Sequence, residues 1–189
     1  MWLCQIQEDS GEWIKSSYNE QPHTYYSRVS SALLELSEIT NNNAFFKHGI
    51  KNIEWCISQQ QDNGFFKFSS FDIDETPVLH TMIYVIEGLI KAYKFTGDMK
   101  ILDAIYLNTQ KLKDINLKRD IILFSRYNHD FEPIDKSRCI TGLAQWAGVC
   151  IDLYEISNDY DYMRLAMRTI YYLKSKQCIS NDPNIHGGF

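Results

Sequence analysis

The feature that most constrains this chain is an internal repeat. Three turns lie over one another: Glu38-Ile39-Thr40-Asn41, Lys94-Phe95-Thr96-Gly97 and Glu155-Ile156-Ser157-Asn158, with a hydroxyl residue at 40, 96 and 157. A spacing of 56 and then 61 residues is that of a helix-pair repeat, in which no unit buries its apolar face alone and each must stack on its neighbours. Gln60-Gln61-Asp62-Asn63-Gly64-Phe65 is echoed by Gln177 and then Gly187-Gly188-Phe189. Both follow a helix and place glycine where a tight turn calls for positive φ.

The two helices of a unit differ in character. Phe46, Ile50, Ile53 and Ile57 fall on one stripe, as do Leu102, Ile105, Tyr106, Thr109 and Leu112, and then Met163, Ala166, Met167, Ile170 and Leu173; these read as one-faced surface helices. The other series is apolar nearly all round, with Met82, Ile83, Val85, Ile86, Leu89 and Ile90, then Leu143, Ala144, Trp146, Ala147, Val149 and Cys150. Such a helix is buried on every side. Its first member, from about Tyr25 to Ile39, is interrupted by Glu35, Ser37 and Glu38. Alternation of buried and half-buried helices predicts two concentric layers, an all-α fold of the α/α-toroid kind. Ile121 to Phe124 is a strand or a turn of helix, and the stretches 65–79 and 120–138 are connections long enough to carry function.

Composition narrows the function classes. At 189 residues, 44% of them hydrophobic, the chain is expected to form one domain over 1–189. A net charge of −5 lacks the basic footprint of a nucleic-acid binder. No apolar run reaches the length of a membrane span, and Met1 to Gln5 lacks the basic and apolar regions of a signal peptide. Five cysteines, at 4, 56, 139, 150 and 178, fit reduced thiols in a cytoplasmic protein. There is no G-x-G-x-x-G, P-loop, H-E-x-x-H or G-x-S-x-G, and no His spacing suited to a metal, so neither cofactor nor metal is expected. Aromatic residues reach 14%, a share common in sugar- and isoprenoid-binding cavities as well as in plain cores.

The repeat also ranks the polar residues. It puts Thr24, His80 and Thr141 at one level, and Arg28, Tyr84 and Gln145 one turn further along the same face. Polar groups so placed on apolar helices need partners or a wet cavity, since unpaired burial costs roughly 1–3 kcal/mol each. They are either helix caps bonded to neighbouring loops or a polar ring at the inner-helix N-termini, where free N–H groups favour anionic or hydroxyl-rich ligands. The densest chemistry is Phe71-Asp72-Ile73-Asp74-Glu75-Thr76-Pro77-Val78-Leu79-His80. Three carboxylates in four residues suit a general acid, with Glu87 two turns beyond His80 on the same face; the alternative is an acidic capping loop in water. His129 and Asp130 form a second, weaker base–partner candidate.

Several of these segments carry a resemblance. His23-Thr24-Tyr25-Tyr26-Ser27-Arg28-Val29 followed by Ala32-Leu33-Leu34-Glu35-Leu36, the Asn63-Gly64-Phe65-Phe66 turn, Phe71 to Pro77 with Leu79-His80-Thr81, and Cys139-Ile140-Thr141-Gly142-Leu143-Ala144-Gln145 together resemble a family of bacterial α/α-toroid proteins encoded in polysaccharide-biosynthesis clusters. That family lies in the terpenoid cyclase and protein prenyltransferase fold superfamily. Some members are labelled aminolevulinate dehydratase, an activity needing a Schiff-base lysine on a β/α barrel that nothing in this pattern supplies. The resemblance implies a partial toroid, about three helical hairpins of a six-hairpin barrel, lacking hairpins at both ends. Trp2 to Trp13 then reads as the tail of a preceding repeat, and the bare end hairpins as surfaces for self-association. The chain departs from the family at Lys136-Ser137-Arg138, where a Trp or Phe usually stands.

Three readings follow. In the first, the chain is a carbohydrate-related protein of capsule or exopolysaccharide biosynthesis acting on an oligosaccharide by acid/base chemistry, as a glycosidase, lyase or epimerase. Asp74, Glu75 and His80 would be catalytic; His23, Tyr25, Arg28, Asp72, Tyr84, Glu87, Gln145 and Trp146 would bind substrate, with Tyr25, Tyr84 and Trp146 stacking on sugar rings. The second carboxylate that glycoside hydrolysis requires would be Glu87 or Asp130. In the second reading, Asp72-Ile73-Asp74-Glu75-Thr76 is similar to the DxDD-T motif of protonating terpene cyclases, and the partner is an isoprenoid. In the third, the chain is a non-catalytic scaffold.

Overall fold

The hydroxyl at each repeat turn works the same way three times. Thr40 Oγ1 donates to Leu36 O at 2.6 Å, Thr96 Oγ1 to Ala92 O at 2.8 Å and Ser157 Oγ to Leu153 O at 2.6 Å. The next residue swings into the left-handed region, with φ of 51° at Asn41, 69° at Gly97 and 55° at Asn158, which ends the helix. The residue after that caps the following helix: Asn42 accepts from Ala44 N, Asp98 from Lys100 N and Asp159 from Asp161 N, at 2.9–3.0 Å.

A computed structural model describes residues 2–73, 75–118 and 122–189. After a short α1 (Trp2–Gln5), these turns join three hairpins: α2 (Ser27–Thr40) with α3 (Asn43–Ser58), α4 (Leu79–Thr96) with α5 (Met99–Lys118), and α6 (Ile140–Ser157) with α7 (Tyr160–Lys176). A 3₁₀ turn, Thr24–Tyr26, leads into α2. Among the described residues there is no strand, and only isolated bridges pair Gln60 with Phe66, Val78 with Arg126 and Tyr127 with Pro133. Ile121 lies outside the described residues; Ile122 to Phe124 are irregular, with Leu123 fully buried.

α2, α4 and α6 pack side by side in that order, each backed by its hairpin partner. These are the two expected layers. α4, in the middle, buries ten of its residues, including Met82, Ile83, Val85, Ile86, Leu89 and Ile90. The flanking inner helices each keep one side open: Ala32, Leu36 and Ile39 on α2, and Ala144, Gly148 and Ile151 on α6. In the repeat, Ala144 and Ile151 correspond to Ile83 and Ile90 of α4, which are buried where α6 covers them. The structure is therefore an arc of a two-layered toroid with two uncovered edges.

The outer stripes sit about one residue from where apolar periodicity puts them. α3 buries Gly49, Asn52, Ile53, Trp55 and Cys56 while Phe46 is 38% exposed, and α7 buries Tyr162, Leu165, Ala166, Thr169 and Leu173 while Met167 is 42% exposed. Asn52 and Thr169 are hydrophilic in sequence but buried. Asn52 enters because both ends of its amide are paired, Nδ2 with Gly11 O at 2.9 Å and Oδ1 with Ser30 Oγ at 2.6 Å.

The glycine turns dock each unit on the next. Gln60 Nε2 donates to Gly64 O and to Ala104 O on α5, while Asn108 Nδ2 also donates to Gly64 O. Gln7 repeats this with Gly11 O and His48 O, and Asn52 with Gly11 O. Trp2 to Trp13 thus carries the docking turn of a repeat. No described helix is long and apolar enough to cross a membrane.

Candidate functional site

Two glycines let the N-terminal halves of the inner helices close on one another. A Cβ on Gly88 of α4 would lie 2.3 Å from the Ser27 carbonyl carbon on α2, and one on Gly142 of α6 would lie 2.7 Å from His80 N. Ser27 Oγ fills the first contact by donating to Val85 O at 3.0 Å. Neither glycine was singled out in the sequence, although a small residue on an otherwise apolar helix is the signal that could have found both contacts.

That approach assembles a polar cluster across three helices. His80 Nδ1 lies 2.6 Å from Gln145 Oε1, Gln145 Nε2 donates to Glu87 Oε2 at 3.0 Å, and Glu87 Oε2 is 3.6 Å from Arg28 Nη1. Tyr84 lies beneath, its ring 4.1 Å from the His80 ring and its centroid 4.0 Å from Arg28 Cζ. The cluster is open to water: the side chains of Arg28 and Glu87 keep 45% and 26% of their exposure. Of the two levels read from the repeat, Arg28 from α2, Tyr84 from α4 and Gln145 from α6 are joined with His80 and Glu87 of α4, whereas Thr24 is buried with its hydroxyl donating to Lys67 O at 2.9 Å and Thr141 is exposed outside the cluster.

A second, aromatic group stands at the entry to α2. His23 is buried, its Nε2 2.9 Å from Tyr18 O and its ring stacked at 4.6 Å on Tyr25. Tyr25 meets Tyr26 and Phe71 edge-on. Burial pushes the Tyr25 hydroxyl well above the ordinary phenol range, with smaller contributions from Tyr26 and Tyr18, so it serves as a neutral hydroxyl. Asp72 is held by Asn19 Nδ2 at 3.3 Å and Gln21 Nε2 at 3.5 Å, partners its neighbours in sequence did not suggest. Asp74 lies outside the described residues. Glu75 is exposed and lines a cavity of about 250 Å³ with Phe65, Lys67, Phe68, Ile73 and Pro77.

The two long connections meet at the start of α4. Leu79 N donates to Ser125 O at 2.7 Å and Arg126 Nη1 to Thr76 O at 3.1 Å, so the second connection holds the first. His129 Nε2 and Asp130 Oδ2 do pair, at 3.1 Å, but both side chains are more than 60% exposed.

Trp146 belongs elsewhere. It is fully buried, and its Nε1 donates to Asn116 Oδ1 of α5 at 3.0 Å. The indole faces the outer layer, so it fills the core between layers and offers no face to a sugar. Among the described residues, no group of His, Cys, Asp and Glu is placed to hold a metal ion. The cluster can hold an anionic or hydroxyl-rich group at Arg28, and it presents an imidazole for proton transfer.

No family model matches the chain, and no curated protein is similar to it. Solved structures do match. One is a GH76 α-mannanase of Bacteroides thetaiotaomicron, with a TM-score of 0.64 and 16% identity over 82% of this chain and 45% of that one. Another is a sugar epimerase from a ruminal bacterium, with a TM-score of 0.64 and 12% identity over 97% and 52% of the two chains. A third is a polysaccharide lyase, with a TM-score of 0.68 and 12% identity over 100% and 55%. Identities this low speak for the α/α-toroid fold alone, and the chain spans about half the length of the structures it matches.

Proposed function

We propose that the face shared by the N-terminal halves of α2, α4 and α6 binds a carbohydrate and moves a proton on it, with His80 as the acid/base. The observation that carries this is the contact series from His80 through Gln145 and Glu87 to Arg28, which crosses three helices and stays open to solvent. Arg28 holds a carboxylate or hydroxyl of the sugar, and Tyr84, packed against both the guanidinium and the His80 ring, keeps the two side by side. The three solved structures of the same fold, named as a mannanase, an epimerase and a lyase, support a sugar as the substrate class.

Within that class the cluster favours proton abstraction over hydrolysis. Hydrolysis needs two carboxylates facing each other across the sugar, whereas the described cluster holds one, Glu87, already engaged by Arg28 and Gln145. An imidazole with a nearby cation is better suited to epimerase- or lyase-type chemistry, in which a C–H proton next to a carbonyl or carboxyl leaves and the cation steadies the charge that develops. Glu75, with Asp74 beside it in sequence, is the second acid/base in this reading. The substrate is an oligosaccharide of cytoplasmic polysaccharide assembly.

The test is deuterium uptake. Neutral and uronate-containing oligosaccharides are incubated with the chain in D₂O and examined by mass spectrometry for exchange at carbon. Exchange is expected with the protein and should fall by roughly 10²–10⁴-fold in His80→Gln. Exchange unchanged by that substitution removes His80 from the chemistry.

A further inference from the structure

We infer that Glu87, acting through Gln145, fixes which ring nitrogen of His80 carries the proton, which makes Gln145 a positioning residue for the imidazole. The Gln145 amide stands between the two groups, with Nε2 3.0 Å from Glu87 Oε2 and Oε1 2.6 Å from His80 Nδ1. An amide can be turned over to exchange its oxygen and nitrogen, so its neighbours decide its orientation. Glu87, paired with Arg28 at 3.6 Å, is a carboxylate, and a carboxylate only accepts hydrogen bonds. The end of Gln145 that faces Glu87 is therefore the NH₂ group, and the end that faces His80 is the carbonyl oxygen.

A carbonyl oxygen also only accepts, so Nδ1 of His80 must be the nitrogen with the hydrogen. In a neutral imidazole the other nitrogen, Nε2, is then bare. Among the described residues none bonds to Nε2. The carboxylate on one side of the bridge thus sets a free lone pair on the other, through an amide supplied by the next inner helix.

The use of this arrangement rests on the proposed function, in which Nε2 is the atom that takes the substrate proton. The substrate C–H bond breaks, its electron pair stays on the sugar, and the proton forms an N–H bond at Nε2. The imidazolium that results keeps Nδ1–H on Gln145, so neither the ring nor the amide has to turn. The tautomer itself is a property of the free protein and needs no sugar to be seen.

It is read from two-bond ¹H–¹⁵N correlations of the histidine rings in labelled protein at mildly alkaline pH, with His80 assigned by its absence in His80→Gln. The Nδ1–H form is expected to be the majority, one net hydrogen bond moving the tautomer ratio roughly fivefold or more toward it from the free-histidine value. In Gln145→Leu, and in Glu87→Gln where the residue at 87 can donate as well as accept, the ratio should move toward the Nε2–H form that free histidine favours. A majority of Nε2–H in the unaltered protein overturns the inference, as does a ratio that neither substitution moves. Should a substitution unfold the chain, the spectrum of the unaltered protein decides alone. An Nδ1–H ring in a protein that exchanges no sugar proton keeps this inference and sinks the acid/base reading; sugar exchange with an Nε2–H ring does the reverse.

Discussion

Asn52 and Asn108 are one residue seen in successive repeats: Nδ2 of each donates across 2.9 Å to the carbonyl of the glycine in the turn before it, Gly11 and Gly64 respectively. They differ at the other end of the amide. Asn52 Oδ1 accepts from Ser30 Oγ at 2.6 Å, whereas Asn108 Oδ1 is buried with no partner. Asn52→Ala should therefore cost about 2 kcal/mol and Asn108→Ala about 1 kcal/mol or less, because the first removes two buried hydrogen bonds while the second removes one together with a buried oxygen that had none. Urea denaturation of both variants measures the difference, and equal losses would contradict it.

The docking turn itself is tested at Gly64. Its φ is +92°, and a Cβ there would lie 2.4 Å from Leu107 O, a backbone atom with no freedom to retreat. Gly64→Ala should destabilise by about 2–4 kcal/mol, combining positive-φ strain with overpacking. Gly148→Ala meets nothing within 4 Å and replaces a helical glycine, so it should stabilise by up to about 1 kcal/mol. Melting temperatures moving in opposite directions would confirm the pair.

A buried cation ties the second hairpin to the third. Lys113 on α5 keeps 9% of its side-chain exposure and meets Asp159 and, at 3.7 Å, Asp161. The hydrogen bond from Lys113 holds the Asp159 carboxyl below its ordinary 3.8, against some burial that pushes it up. A depressed carboxylate adds stability above its unfolded value and loses it as pH falls through the folded one. Stability should therefore drop below about pH 4, and Lys113→Met should flatten that acid limb while costing about 1–2 kcal/mol at neutral pH, a figure kept low by the exposure of Asp159. Denaturation curves across the acid range measure both.

The thiols should divide by burial. Cys56 and Cys150 are buried and Cys178 is exposed; burial pushes both buried thiols far above their ordinary range. An alkylating reagent should reach the exposed Cys178 in the native protein and modify Cys56 and Cys150 only as fast as the protein opens. Mass spectrometry of the native and urea-treated protein tests this.

Much of this architecture was legible because its determinants are local. The hydroxyl, left-handed residue and Asx cap of each turn sit in consecutive positions, so Thr40-Asn41-Asn42 and Ser157-Asn158-Asp159 announce themselves. The level of Arg28, Tyr84 and Gln145 was legible for the same reason, once the turns fixed the register. Trp146 was misplaced because an aromatic on an apolar helix looks the same whether it faces a cavity or the outer layer; its partner Asn116 is 30 residues away. The shifted outer stripes share that cause, since Asn52 is hydrophilic in composition and buried only through distant partners. Gln7 and Gly11 repeat the spacing of Gln60 and Gly64 and could have been found, but the four-residue α1 before them is too short to show a helical period that would have drawn the comparison.

The central claim is that the N-terminal halves of α2, α4 and α6 form one sugar-binding surface. Backbone and side-chain chemical shifts followed during titration with uronate-containing and neutral oligosaccharides test it most directly. The account predicts saturable shifts at Arg28, His80, Tyr84 and Gln145 together, lost in Arg28→Met and His80→Gln, with Trp146 silent. Saturable shifts confined to the outer helices, or no shifts at any oligosaccharide concentration, would contradict it.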